Sequence, residues 1–189
     1  VQCQIKFNLY NWNLPNYYYK KTFDKIDFFF IDTSILLPDY SNIDYNIVKC
    51  SINQEPILKS KEMIDWLEIE LEKSKNPKIL VGHYPILSYG MYGVNKNLFI
   101  KLYPILSKHN VKYYISGHDH NLQIIDVFSK EHSMKQVISG ATSSFYPILK
   151  NVSNKVFSKL GYIMINTTMK NINIIDSKSN TLYSEDLEF

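Results

Sequence analysis

Gly82-His83-Tyr84-Pro85 and, further along, Gly117-His118-Asp119-His120 decide how this chain folds. Each follows a short apolar run, Lys78-Ile79-Leu80-Val81 and Val111–Ser116, with the length and composition of a buried strand. Twice, then, a strand leads into Gly-His, and α/β folds place ligands beyond the C-terminal ends of strands. Glycine before the histidine permits unusual backbone angles and close approach. Neutral imidazole is a common transition-metal ligand. His118 and His120 lie two apart on a loop, so together they can address two adjacent points, such as two metal ions. The remaining two of the five histidines read as structural. His109 closes a helix, where a cation suits the dipole, and His132 sits in a polar Lys-Glu-His-Ser turn.

On either side of these turns, strands and helices alternate. Tyr17–Phe23 reads as a strand, a polar turn follows at Asp24-Lys25, and Ile26–Leu37 is a buried strand with its exit loop. Ser60–Ser74 carries Met63, Ile64, Leu67 and Leu71 at helical spacing, with Ser60 as N-cap and Asn76-Pro77 as the stop. A second helix covers Asn97–His109, bent or offset at Pro104. Beyond it the pattern is mostly strand: Leu122–Phe128, Lys135–Ser139, Tyr162–Asn166 and Asn171–Ile175.

Composition narrows the function classes. The chain has 189 residues, one domain's worth, with 45% hydrophobic and 21% charged residues, which argues against disorder. Its net charge of +3 and scattered lysines give no reason to expect a nucleic-acid partner. No apolar run is long enough for a transmembrane helix. All 21 basic residues are lysine, so phosphate here must be gripped by metal, His, Lys or backbone N–H rather than by a guanidinium fork. Cys3 and Cys50 make neither a disulfide framework nor a metal site; a pair formed on export and two unrelated thiols both fit. The start at Val1, without initiator Met or signal pattern, is expected to be a cut.

The two His motifs resemble the last two motifs of calcineurin-like metallophosphoesterases. Gly117-His118-Asp119-His120-Asn121-Leu122-Gln123 resembles the tartrate-resistant branch of the purple acid phosphatases. Trp12-Asn13-Leu14-Pro15, Ile31-Asp32-Thr33 and Asp65-Trp66-Leu67 resemble that branch too, in the same order. The resemblance implies an α/β (α+β) chain whose fold is a β-sandwich flanked by helices. Residues 1–189 would be the C-terminal part of a single metallophosphoesterase domain. It further implies an acid phosphatase that hydrolyses phosphate monoesters at a binuclear metal centre, iron paired with iron, zinc or manganese. His83 and His118 would bind one ion and His120 the other. Two such ions sit about 3.5–4 Å apart, orient the phosphate and lower the pKa of a bound water.

Some of the family's pattern is missing. Its Asp-x-Asp or Asp-x-His, Gly-Asp-x-x-Tyr and Gly-Asn-His motifs do not occur here and are expected before Val1. Three His cannot complete two coordination spheres, so the chain alone should be close to incompetent, with catalytic residues unassigned. Tyr92 stands where tartrate-resistant enzymes carry another pocket His; a loop aromatic packed locally is the alternative. The substrate implied is a small phosphate ester or a phosphoprotein, in the secretory pathway, vacuole or extracellular space. Asn151-Val152-Ser153 and Asn166-Thr167-Thr168 fit the glycosylation pattern that such a route would use. Two competitors share these features: an inactive phosphatase-like scaffold or membrane-anchor protein, and a phosphodiesterase or nucleotidase with the same His motifs.

Overall fold

The computed structural model describes residues 14–37, 56–130, 132–148 and 155–189. Cys3, Trp12, Asn13, Cys50 and Asn151-Val152-Ser153 lie outside the described residues.

β1 (Tyr18–Phe23) and β2 (Ile26–Ile31) form an antiparallel hairpin joined at Asp24-Lys25. Both turn residues have positive φ, +46° and +63°, as a two-residue hairpin matched to strand twist requires. β2 exits through Asp32, whose carboxylate caps a 3-10 turn at Thr33–Leu36 by accepting from Ser34 N at 3.0 Å. The first helix, α1, spans Pro56–Lys73. It starts a turn earlier than the expected Ser60 because proline is tolerated in a helix's first turn, and Ser60 therefore lies inside it. β3 (Lys78–Val81) and β4 (Tyr113–Ser116) flank α2 (Lys96–Lys108), which Asn95 caps by accepting from Leu98 N at 3.2 Å. The helix continues through Pro104, whose ring lies on the exposed face, where water can satisfy the carbonyl it leaves unpaired. His109 is its C-cap.

β5 (Leu122–Phe128), β6 (Ser133–Ser139) and the short β7 (Val156–Phe157) complete a seven-stranded mixed sheet in the order β1-β2-β3-β4-β6-β5-β7. β8 (Gly161–Asn166), β9 (Asn171–Asp176) and β10 (Thr181–Asp186) form a second, antiparallel sheet in the order β10-β9-β8.

Alternation along the central strands builds two cores. Phe29, Ile31, Leu80 and Tyr114 face the helices and pack with Met63, Leu67, Leu71, Leu98, Leu102 and Leu106. Ile26, Phe28, Ile79 and Tyr113 face the other way and pack on Ile172, Ile174 and Leu187 of the small sheet and its tail. The helices thus cover one face and a second sheet the other, the expected sandwich flanked by helices. Leu67, fully buried at the centre of α1, illustrates the scale: truncation to alanine costs about 2–5 kcal/mol.

Candidate metal centre

β3 and β4 are parallel neighbours, with Leu80 opposite Tyr114 and Val81 opposite Ile115, so both Gly-His turns leave the same edge of the sheet. Two backbone bonds tie the turns together, Gly82 N to Ile115 O at 2.9 Å and Gly117 N to His83 O at 3.1 Å. Gly82 must be glycine, since a Cβ there would come within 2.6 Å of Thr33 Cγ2 and 2.7 Å of the Tyr114 hydroxyl. The Thr33 hydroxyl accepts from both His83 N and Tyr84 N at 3.0 Å, and Tyr114 donates to Tyr84 O. The first turn is therefore fixed from beneath by β2's exit and by β4.

His118 adopts φ +61°, an uncommon conformation for a side chain-bearing residue and one that concentrates at functional sites. That kink brings its imidazole against His83, with ring centroids 5.2 Å apart and planes at 73°. Tyr84 and Tyr92 flank the same ring at 4.3 and 4.2 Å. Burial lowers the pKa of both imidazoles; Asp32 opposes this at His83 and Asp119 at His118, while the neighbouring imidazoles reinforce it. Both are thus biased toward the neutral, metal-binding form.

His120 leaves the turn differently. Its ring stacks on Tyr146 at 4.6 Å, its carbonyl accepts from Tyr146 N at 2.6 Å, and its Nδ1 pairs with the Ser144 hydroxyl at 2.5 Å. The pairing occupies Nδ1, so Nε2 is the ring nitrogen that a ligand would use. Among the described residues no three His, Cys, Asp or Glu side chains converge to hold one ion. The structure brings His83 and His118 together and leaves His120 close enough for its charge to act on both.

A cleft of about 370 Å³ opens beside His118, lined by Tyr84, Tyr92, Asn95, Lys96 and Asn97 among others. Tyr92, about half exposed, packs on His118 and lines this cleft, so it is not an aromatic packed away in its loop. A second groove, of about 330 Å³, runs along Tyr17, Phe30, Asp32 and His83. His109 and His132 are both buried, and the lowered pKa of His109 departs from the cation its helix-end position suggested. His109 contacts Glu72 at 3.3 Å, and His132 Nε2 pairs with Val111 O at 3.0 Å; burial lowers both pKa values.

Sequence reasoning gave no role to Thr33 or Gln123, which it quoted only as parts of motifs, and it passed over Ser88. A signal existed for Gln123, a polar residue in the otherwise apolar start of β5, and it is fully buried. Thr33 and Ser88 carry no such mark, because their hydroxyls reach partners far away in sequence.

The family model for calcineurin-like phosphoesterase matches residues 3–122. Tartrate-resistant acid phosphatase type 5 from Sus scrofa is 29% identical over 161 residues, covering 80% of this chain and 46% of the relative. Purple acid phosphatase 7 from Arabidopsis thaliana is 36% identical over 107 residues, covering 56% of this chain and 33% of the relative. The chain spans about half the length, or less, of these relatives. Among solved structures, GAP50, the anchor in the inner membrane complex of Plasmodium, superposes with a TM-score of 0.72. It shares 22% identity over 100% of this chain and 61% of its own. Purple acid phosphatase PPD1 from yellow lupin gives 0.58 at 12% identity, over 98% of this chain and 35% of its own. Both show a shared fold.

Proposed function

This chain belongs to the calcineurin-like phosphoesterase family, and we propose that residues 1–189 form the C-terminal part of a single domain that hydrolyses phosphate monoesters in the manner of an acid phosphatase. The observation that carries this reading is the pair His83–His118 at the shared edge of β3 and β4, kinked into contact at φ +61° and biased toward the neutral form by burial. Two adjacent neutral imidazoles fit part of one ion's donor set, and His120, oriented by Ser144, fits a second ion. Metals of the iron, zinc and manganese kind would supply Lewis acidity and a hydroxide nucleophile at this edge.

The chain's own residues do the rest. Thr33 and Tyr114 hold the His83 turn, and Ser144 and Tyr146 hold His120. The cleft beside His118 receives the organic part of the ester; Tyr92 offers a phenolic hydrogen bond and Lys96 a cation in a chain without arginine. Among the described residues no third His, Cys, Asp or Glu joins His83 and His118, so this reading calls for further ligands from outside the described residues. The same reading carries a small phosphate-ester or phosphoprotein substrate and a secretory, vacuolar or extracellular location. No described helix is long and apolar enough to cross a membrane.

The test is His118→Ala with His120→Ala in the complete protein, followed by elemental analysis and phosphate release. Turnover should vanish and most bound metal should be lost; full metal occupancy in the double variant overturns the assignment. A second reading, an inactive scaffold or anchor, draws on the GAP50 likeness, which covers the whole chain. It predicts no release of phosphate from any monoester by the metal-loaded wild type.

A further inference from the structure

We propose that Asp119 is a positioning residue: with Ser88, Asn121 and Gln123 it clamps the 86–95 loop so that the Tyr92 ring stays against His118. Asp119 lies between the two histidines yet is fully buried. Its carboxylate accepts a hydrogen bond from the Ser88 hydroxyl. Its Oδ1 has no partner among the described residues, and neither does Asn121 Nδ2 beside it. Burying a carboxylate with so little compensation costs free energy, so stability alone gives no reason for an acid here.

Its bond to Ser88 shows what this position must supply, a hydrogen-bond acceptor. A hydroxyl has one proton and two lone pairs. At Ser88 both lone pairs are taken, by Gly90 N at 2.9 Å and Gln123 Nε2 at 2.8 Å. The single proton must therefore find an acceptor, and Asp119 is that acceptor. Gln123 continues the clamp, accepting from Tyr89 N at 2.9 Å and donating to Asn121 Oδ1 at 2.5 Å. Gly90 closes it: a Cβ there would land on the Asp119 carboxylate and the Asn121 amide, so the loop tip lies directly on the 119–121 turn. The loop is also joined independently of the clamp, by the Leu87–Val94 bridge and by the backbone bonds Ser88 N to Gly93 O and Asn95 N to Ile86 O, each 2.9 Å, which fix its path but not the tip's seat on the 119–121 turn. Tyr92 belongs to the tip, and at 48% exposure its own burial does not fix it. The clamp does.

That this shapes the substrate cleft rests on the phosphomonoesterase reading; the clamp itself does not. The experiment uses the complete protein kept in zinc, a diamagnetic ion, with ring-labelled His and Tyr. The Tyr92–His118 cross-relaxation peak, assigned with Tyr92→Phe, is compared with the Tyr103–His132 peak, which reports the core (ring centroids 5.9 Å apart). Ser88→Ala and Asp119→Ala should lose the first peak and keep the second, while Asp119→Asn, which still offers an acceptor, keeps both. KM for a phosphate monoester should rise about tenfold in Ser88→Ala, with kcat within about threefold of wild type and metal content unchanged. Persistence of the Tyr92–His118 peak in Ser88→Ala overturns the clamp, as does its loss in Asp119→Asn. If Asp119→Ala fails to fold, both peaks vanish and Ser88→Ala, one oxygen smaller than wild type, decides. A wild type without turnover defeats the phosphatase reading alone, and the peaks still decide the clamp.

Discussion

His118 at φ +61° and Asp119 at zero exposure sit side by side on a turn that packs against a residue with no side chain, Gly140. Gly140 N donates to Asn121 O at 3.1 Å, and a Cβ on Gly140 would land on the Asp119 carbonyl oxygen, which is backbone and cannot swing aside. Gly140→Ala should therefore destabilise the protein by about 1–3 kcal/mol, read as a lower urea midpoint with an unchanged slope. A midpoint equal to wild type would show that the turn has room the structure does not record. The sequence marks the histidines at this scale, through their repeated Gly-His setting. It does not mark Gly140 or Ser88, whose importance comes from atoms brought to them by other strands.

Asp27 shows how elements are joined. It is a buried acid in β2, paired with Lys20 of β1 at 2.7 Å and accepting from Thr22 at 2.7 Å. It also accepts from Ser74 at 2.6 Å and Asn76 at 3.1 Å, just beyond the end of α1. Burial pushes its pKa up, but Lys20, Ser74, Thr22 and Asn76 together outweigh burial and hold the carboxyl far below the usual range. A carboxylate depressed in the folded state contributes stability that is present above its unfolded pKa of about 3.9 and lost as pH falls through the folded value. Wild type should accordingly lose stability below about pH 4 more steeply than Asp27→Asn, by urea titration at several pH values. Parallel curves would remove Asp27 from the acid response. Asp27→Ala, which strands Lys20 and three polar partners, should cost about 3 kcal/mol at neutral pH. In the sequence Asp27 is only an acid interrupting an apolar run; its role depends on α1 ending above it.

At the scale of the whole, the described residues form one sheet sandwiched between helices and a second sheet, whose closing strand is fastened by charge. Glu185 in β10 meets Lys135 of β6 and Lys155 at 2.8 Å each, all largely buried. Burial raises the Glu185 pKa, but the two lysines and Tyr183 reverse this and lower it, as a true pair requires. Leu187 then inserts into the core between the sheets, and Tyr113 accepts a bond from Glu188 N at 2.8 Å. Glu185→Ala should cost about 2–4 kcal/mol. The loss should show first as faster hydrogen exchange in β9 and β10, with β3 and β4 still protected. Uniform loss across both sheets would mean the strand is not a separate unit.

Local pattern in the sequence encodes the alternation of strands and helices, the two-residue hairpin turn and the paired Gly-His turns. It missed β10, Thr181–Asp186, whose side chains are half exposed and mostly polar, so no apolar run announces it. It placed His83, His118 and His120 together as ligands, but only the tertiary structure set their geometry. Parallel pairing of β3 with β4 and the kink at His118 join the first two, whereas the stack on Tyr146 turns His120 to its own partners. The clamp around Asp119 was equally illegible, because hydrogen-bond partners thirty or more residues apart leave no periodicity in a sequence; the fold alone brings them within reach.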